Sequence, residues 1–506
     1  MDKVYTYINK HRWLEWLLFA VCFWLVIVHL HLNRGLDDMI PGYHYWRKTD
    51  TYAQILNYYY NGFNFFDHGL YFNQMESGGK AVAEFPLYYY LIALQLKLFG
   101  NHLLILKINW LIVMFAGQFA LYKIGVYYLK NHVLALMVPF ILFLSPTYVI
   151  YTIEFLPDPI ALHLSFVGLY FLVKYHQKKA GRWLIWALVF ITISGMMKPF
   201  YLIPFIAYFL VRFIKARLKK VEMIKLWPFL IPFGFVVLWF LYMNWYNEKY
   251  GSHYFLSKLM PIWKNGGSEA DTIWQRMQDK WLDTYFHPVY LNILLGAMVV
   301  GIIWSGVKQK INGLYTVIAL LGAMAYFVLL FGMLNQHDYY IFPVLFMAPL
   351  IVLVFFTNVA VIKWSPLFNY GIGIIALILM YQNMHFSWLE RQSRLRHKFI
   401  NATYEFEPYR HLESFLTKNQ VTKNDLVIAF SDKSPSYALL LLDRKGWSGF
   451  QTFYRREKVT DLMDLGAKYL IVNEALPKKR DSVALEGINI TYVADTNQVF
   501  IYKLTK

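Results

Sequence analysis

Residues 86–99 read Pro-Leu-Tyr-Tyr-Tyr-Leu-Ile-Ala-Leu-Gln-Leu-Lys-Leu-Phe. How this stretch is read decides the fold. If it crosses a bilayer, every later loop changes sides and the basic clusters fall on the outer face, against the positive-inside rule. If it lies along the surface, they all fall on one face. It is short for a crossing, which takes about 20 apolar residues, and it carries Gln95 and Lys97. The expected element is an amphipathic helix in the membrane interface, with its tyrosines at headgroup level. Residues 50–60 form a second candidate of the same kind.

Around this segment the chain is strongly apolar. Of 506 residues, 58% are hydrophobic and 16% charged, with mean hydropathy +0.36. Soluble domains carry about 25% charge. Apolar runs long enough to cross a bilayer lie near 16–32, 103–122, 133–151, 160–175, 183–197, 199–215, 227–246, 289–305, 314–334, 339–357 and 366–385. The sequence therefore predicts a mainly α, polytopic helical membrane protein with about 11–13 spans. The net charge of +18 does not call for nucleic acid, because the basic residues sit in short loops where topology uses them. The single cysteine, Cys22, excludes a disulfide framework. Lys3, Lys10 and Arg12 precede the first span, and no small-residue cleavage site follows it, as in an uncleaved signal-anchor.

With the N-terminus cytoplasmic, the basic groups at 123–130, 178–182, 212–225, 308–310 and Lys363 are all inside. Connections 152–159 and 335–338 have no Lys or Arg, the asymmetry of the positive-inside rule. The segments 33–102, 152–159, 247–288 and 335–338 are then outer, together with Asp50, Glu84, Glu154, Asp158, Lys198, His337 and Asp338. Arg391, Arg394, Arg396 and Lys398 also fall outside, against the rule. Residues 390–506 form a second domain after the membrane domain 1–389. Strands are expected at 426–430, 469–472 and 499–502, with helices at 407–419, 435–443 and 457–465, giving a small α/β fold.

The first outer loop holds His44-Tyr45-Trp46-Arg47-Lys48-Thr49-Asp50-Thr51-Tyr52 and Glu84-Phe85-Pro86-Leu87-Tyr88. An acidic residue among cations and aromatics at a membrane surface suits a lipid-linked substrate. Asp50 can take a proton from an acceptor or merely cap a helix. Asp37 and Asp38 read as solvated or capping. Glu84 can likewise cap a helix beginning at Pro86. Asp158, between Pro157 and Pro159, is a turn or a functional group at a span mouth. Lys198, before Pro199, and His337-Asp338-Tyr339-Tyr340 stand at two other mouths, where a cation can hold a phosphate. The histidines at 44, 68, 253, 287 and 337 lack local metal-ligand spacing.

His44-x-x-Arg47-x-x-Asp50-Thr51, Glu84-x-Pro86-x-Tyr88-x-Tyr90-Leu91, Leu156-Pro157-Asp158-Pro159, Lys198-Pro199 and His337-x-Tyr339-Tyr340-x-x-Pro343 together resemble the type-C (GT-C) membrane glycosyltransferases. The order and spacing are most similar to the bacterial branch related to protein O-mannosyltransferases and to the aminoarabinose transferase of lipid A. The resemblance implies transfer of a sugar from a polyprenyl-phosphate carrier to a lipid, glycan or protein acceptor, with inversion. It places this at the outer face of a bacterial cytoplasmic membrane. Asp50 matches the first-loop aspartate that serves as base or positions the acceptor, with Glu84 and Asp158 as further catalytic candidates. In the aminoarabinose transferases a lysine stands where this chain has Phe85, so Arg47, Lys80, Lys198, His337 and Tyr340 are the candidates for the carrier phosphate. The mannosyltransferases carry Asp-Glu where this chain has Asp50-Thr51. His44, Trp46 and Tyr88 are candidate acceptor or sugar contacts. No cofactor is expected to be required, and the sequence leaves a divalent metal open. The competing readings are a flippase for a lipid-linked sugar and a polysaccharide polymerase or ligase using diphosphate-linked sugars.

Overall fold

The computed structural model describes residues 3–36, 44–219, 223–255, 258–308, 310–359, 365–449, 458–473, 488–496 and 498–505. Asp37, Asp38 and Lys363 lie outside these residues. The fold is that of a polytopic helical membrane protein with a small C-terminal sheet. Among the described residues seven helices are long and apolar enough to cross a membrane, and shorter apolar helices span Leu87–Phe99, His132–Leu144, Gly181–Met197 and Gly313–Leu329. The chain divides into two compact units: residues 1–36, 107–240 and 258–392 in the first, and 37–106, 241–257 and 393–506 in the second.

In the first unit, several expected spans are broken where proline interrupts the backbone ladder. The expected span 133–151 is a helix His132–Phe140, a 3₁₀ turn Ile141–Leu144 and a helix Pro146–Tyr151. Pro146 takes the first helical position, where its missing N–H costs nothing, and the Ser145 hydroxyl accepts the Tyr148 N–H at 3.3 Å. The expected span 339–357 likewise begins as a 3₁₀ segment, Asp338–Val344, containing Pro343, before the helix Met347–Val359. The last expected span, 366–385, continues far beyond its apolar run as a 41-residue helix, Pro366–Phe406.

The helices Pro157–Lys178 and Gly181–Met197 are joined by two residues and so form an antiparallel hairpin. Gly168 allows their close approach: a Cβ there would lie 2.5 Å from Ile191 Cγ1, the small-residue packing common between membrane helices. The Ser194 hydroxyl donates to the Ala161 carbonyl at 2.7 Å across the same seam. The second helix stops at Met197 because Lys198 precedes a proline, which excludes the helical region for it; Lys198 is extended, at φ −153° and ψ 122°. The hairpin thereby returns Lys198 to the end at which Asp158 starts.

In the second unit, helix Tyr45–Asn61 packs against helix Leu87–Phe99. The C-terminal sheet has five strands: β1 Leu426–Ala429, β2 Gly446–Ser448, β3 Ala467–Asn473, β4 Asn489–Asp495 and β5 Val499–Thr505, in the order β2-β1-β3-β5-β4. β1 runs parallel to β2 and β3; β5 runs antiparallel to β3 and β4. One face buries Ile428, Phe430, Trp447, Val459, Leu462 and Leu470. The first loop joins the edge beside β2: Asn73 bridges Gly446 in parallel, the Gly446 N–H donates to the Phe72 carbonyl at 2.9 Å, and the Gln74 N–H donates to the Gly446 carbonyl at 2.8 Å. Gly446 has φ +150°, and a Cβ on it would sit 1.9 Å from the Val427 carbonyl oxygen. Only glycine fits between these two backbones. The short edge strand β2 and the exposed strand β4 are additional to the three strands expected from sequence. The expected helices shorten to Glu413–Lys418, Tyr437–Leu442 and Val459–Asp464, and the Ser434 hydroxyl accepts the Tyr437 N–H at 3.1 Å.

Candidate functional site

In the second unit, Arg47 and Asp50 stand one turn apart on helix Tyr45–Asn61, so they share a face. The helix begins at Tyr45, and Asp50 lies in its second turn. The capping alternative for Asp50 is thereby removed. Tyr254 donates its hydroxyl to Asp50 Oδ1 at 2.7 Å, and Arg47 Nη1 lies 3.9 Å from Asp50 Oδ2. Arg47 Nη2 donates to Glu84 Oε1, and its guanidinium carbon is 5.3 Å from the Phe255 ring centre, within cation–π range. Helix Leu87–Phe99 has no side-chain cap, so Glu84 pairs with Arg47 instead of capping. Its second oxygen, Oε2, is buried and has no hydrogen-bond partner among the described residues.

Asp50 is 5% exposed and Glu84 4%. One guanidinium thus neutralises two buried carboxylates, and the second negative charge is held poorly. Burial pushes the Asp50 carboxyl up from 3.8 to about 7; Arg47 and the Tyr254 hydroxyl pull it down, while Glu84 pushes it further up. A carboxylate balanced near neutrality can take a proton from a hydroxyl or amine and release it again.

Of the other first-loop candidates, Lys80 ion-pairs with Asp67, both about 30% exposed (29% and 31%), an arrangement that solvent screens. His44 precedes helix Tyr45–Asn61 in the left-handed region, at φ 53° and ψ 38°. Trp46 accepts the Thr49 hydroxyl on its carbonyl at 2.6 Å. Tyr88 lies half-buried in the first turn of helix Leu87–Phe99.

In the first unit, Asp158 lies in the first turn of helix Pro157–Lys178, where the dipole favours a carboxylate, and is not part of a turn. Lys198 Nζ donates to its Oδ2 at 2.6 Å and the Tyr201 hydroxyl to its Oδ1 at 2.8 Å. Lys198 Nζ also stands 5.8 and 5.6 Å from the ring centres of Tyr339 and Tyr340. His337 packs on the same rings, at 5.4 and 5.7 Å. Asp338 is fully buried and accepts the Tyr151 hydroxyl at 2.7 Å. Asp158, Lys198, His337 and Tyr340 therefore form one cluster, as Arg47, Asp50 and Glu84 form another.

Tyr254, Phe255 and Tyr201 carry these clusters and were not singled out by sequence. Tyr201 had a signal, since it stands three residues after Lys198 in a 3₁₀ turn. Tyr254 and Phe255 had none, being two aromatics in a long loop. Arg391, which opposes the loop-charge pattern, is 5% exposed and lies 3.8 Å from Glu154. Its charge is paired within the protein. Among the described residues no group of three or more His, Cys, Asp or Glu is placed to hold a metal.

Residues 83–246 match the family model of dolichyl-phosphate-mannose-protein mannosyltransferases. That segment includes Glu84, Asp158 and Lys198 and leaves out Arg47 and Asp50. No curated protein matches the chain in sequence. Among solved structures, ArnT from Cupriavidus metallidurans in the apo state superposes with a TM-score of 0.60 at 12% identity, covering 98% of both chains. The same protein bound to undecaprenyl phosphate gives a TM-score of 0.59 at 12% identity over 96% of this chain and 97% of that one. The fold of this chain is therefore similar to that of ArnT over nearly its whole length, and the resemblance to the type-C membrane glycosyltransferases related to protein mannosyltransferases and aminoarabinose transferases is supported by both comparisons.

Proposed function

We propose that this protein is an inverting glycosyltransferase that moves a hexosyl or pentosyl group from a polyprenyl-phosphate carrier to a lipid, glycan or protein acceptor. The reaction is placed at the outer face of a bacterial cytoplasmic membrane, with the C-terminal domain on that side. The observation that carries this reading is Asp50: a buried carboxylate poised near neutrality, oriented by Tyr254 and held beside Arg47. The likeness to a fold whose solved examples include an undecaprenyl phosphate complex, and the mannosyltransferase match, support the carrier class. The one-sided distribution of basic loops supports the orientation.

In the proposed step the acceptor oxygen or nitrogen attacks the anomeric carbon as the carbon–oxygen bond to the carrier breaks. Asp50 takes the acceptor's proton and the carrier leaves as polyprenyl phosphate. Developing charge on that phosphate is best met by cations already fixed in place. Lys198, held by an aspartate that is 2% exposed and by two tyrosine rings, is proposed for this role with His337 and Tyr340; Arg47, in the second unit, is a separate candidate for it. Lys80 is not carried into the proposal, because Asp67 already balances its charge at a partly exposed position. Glu84 is the proposed positioning residue for Arg47. His44, Trp46 and Tyr88 remain the proposed acceptor or sugar contacts.

The test is transfer by the purified protein in proteoliposomes supplied with a radiolabelled polyprenyl-phosphate sugar. Label passing to an endogenous or added acceptor, with release of polyprenyl phosphate, is the expected result. Movement of intact labelled lipid between leaflets without transfer would replace this reading with that of a flippase.

A pH dependence follows from the same carboxylate. Only ionised Asp50 accepts a proton, so kcat/KM is expected to rise with pH up to about 7 and then level, falling about tenfold per unit below. The folded chain holds a proton here that the unfolded chain releases above its ordinary carboxylate pKa. The group's contribution to folding stability is accordingly lost as pH rises through about 7. A rate profile flat from pH 5 to 8, with the chemical step limiting, would contradict the assignment.

A further inference from the structure

The helix Pro146–Tyr151, in the first unit, is six residues long, and every one of them is buried. Tyr148 and Tyr151 share one of its faces by their i,i+3 spacing. The Tyr151 hydroxyl donates to Asp338 at 2.7 Å, the residue between His337 and the Tyr339-Tyr340 pair. The Tyr148 hydroxyl meets His163 Nε2 at 2.9 Å, on the helix whose first turn holds Asp158. Both rings also pack on Phe342, with centres 6.0 and 6.4 Å away. The Thr147 hydroxyl donates to the Thr284 carbonyl at 2.9 Å and anchors the helix itself.

These bonds have a fixed direction. The Pro159 carbonyl can only accept, so His163 Nδ1, 2.6 Å from it, carries the proton. The other nitrogen of a neutral imidazole then accepts, and Tyr148 donates to it. The Tyr148 oxygen in turn accepts from Gln118 Nε2 at 2.5 Å. The chain runs from Gln118 through Tyr148 and His163 to the carbonyl of the residue after Asp158. Asp158 and the His337–Tyr340 stretch come from separate segments. Lys198 reaches both, but by a long flexible side chain. Helix Pro146–Tyr151 joins them through two packed rings.

We infer that Tyr148 and Tyr151 are positioning residues of the proposed carrier-phosphate cluster. Tyr148 sets the Asp158 side through His163, and Tyr151 sets the His337–Tyr340 side through Asp338. The inference rests on the transferase reading above. Cations stabilise a leaving phosphate when they are already in place, and they stay in place when the residues behind them are locked. The phosphate gains charge as the carrier leaves. A loosened cluster therefore loses most on free undecaprenyl phosphate and least on the intact donor.

Tyr148→Phe and Tyr151→Phe each remove one oxygen and keep the ring. The full-length proteins are compared in proteoliposomes for equilibrium binding of undecaprenyl phosphate, donor KM, kcat and unfolding temperature. Each variant is expected to weaken undecaprenyl phosphate about three- to tenfold, the effect of one buried hydrogen bond. Donor KM is expected to change by less than about twofold while kcat falls. Ser305→Ala is the control, because its buried hydroxyl, 2.8 Å from Asn358 Nδ2, lies on helices that carry no member of the cluster. It is expected to lower the unfolding temperature as much and to leave binding unchanged. Either tyrosine variant binding undecaprenyl phosphate as the wild type does overturns the inference. So does equal weakening by Ser305→Ala, or a donor KM that rises as far as binding falls. Binding is read without transfer. A wild type that binds the carrier and transfers nothing refutes the proposed reaction, and the variants still decide the inference. A wild type that binds no carrier overturns both.

Discussion

Asp50→Asn is expected to lower sugar transfer by about 10²–10⁴-fold, the range that a positioned proton acceptor contributes. Carrier binding is expected to change little. Asparagine keeps the side chain's shape, and its carbonyl oxygen can still accept the Tyr254 hydroxyl now 2.7 Å from Oδ1. Arg47 keeps its direct partner, Glu84. What is lost is one ionisable oxygen and the weak 3.9 Å approach of the guanidinium. Because the native carboxylate is buried and costly to ionise there, its neutral replacement should unfold at the same temperature or higher. Initial transfer rates and unfolding temperatures on the same preparation check both halves. Equal transfer by wild type and variant would remove Asp50 from the mechanism and direct attention to Glu84 and Asp158.

Lys198→Met is expected to destabilise strongly. It leaves Asp158, 2% exposed, with the Tyr201 hydroxyl still donating to it but without the ammonium that balances its charge. Removing one partner of a buried ion pair costs about 3–5 kcal/mol, because the charge left behind has no solvent. Lys198→Met/Asp158→Asn should recover most of that loss, since no charge is then stranded. The pair is measured by comparing unfolding temperatures of both single variants and the double variant. Simple additivity would mean that the two groups are not coupled. Transfer, in contrast, should not recover in the double variant if Lys198 meets the carrier phosphate.

The membrane character of the chain was legible because apolar length is a composition signal, and residues 86–99 were legible as a short helix, which the structure shows as Leu87–Phe99. The span interiors were not. Ser145-Pro146 and Pro343 break two expected helices, and hydropathy alone treats proline as merely apolar. The long helix Pro366–Phe406 ran on because its polar continuation keeps helix-forming residues that a hydropathy window discards. Arg47, Asp50 and Glu84 were legible as candidates by their type and setting. Whether the two acids capped helices depended on where the helices begin, at Tyr45 and Leu87, and such boundaries are the weakest part of any sequence reading. Tyr254 is 204 positions from Asp50, and no local pattern can announce such a partner. The pairing of Asp158 with Lys198 was hidden only by the hairpin between them, whose two-residue connection makes it understandable in retrospect.

The parallel bridge between the first loop and the edge of β2 ties together residues made at opposite ends of synthesis. Asn73 donates its side-chain amide to the carbonyl of Pro435, 362 residues later. At about 5–20 residues per second, the loop must wait on the order of tens of seconds for its partner strand to emerge. During that time the backbone groups of Phe72 and Gln74 are without the Gly446 groups they finally bond, and helix Tyr45–Asn61 lacks part of its support. Arg47, Glu84 and Tyr254, the groups around Asp50, have all been made by then, so what waits for the tail is the Phe72–Gln74 stretch of the loop. A chain that stops short of Gly446 would lack the backbone partners of Phe72 and Gln74 and would leave that stretch of the first loop open.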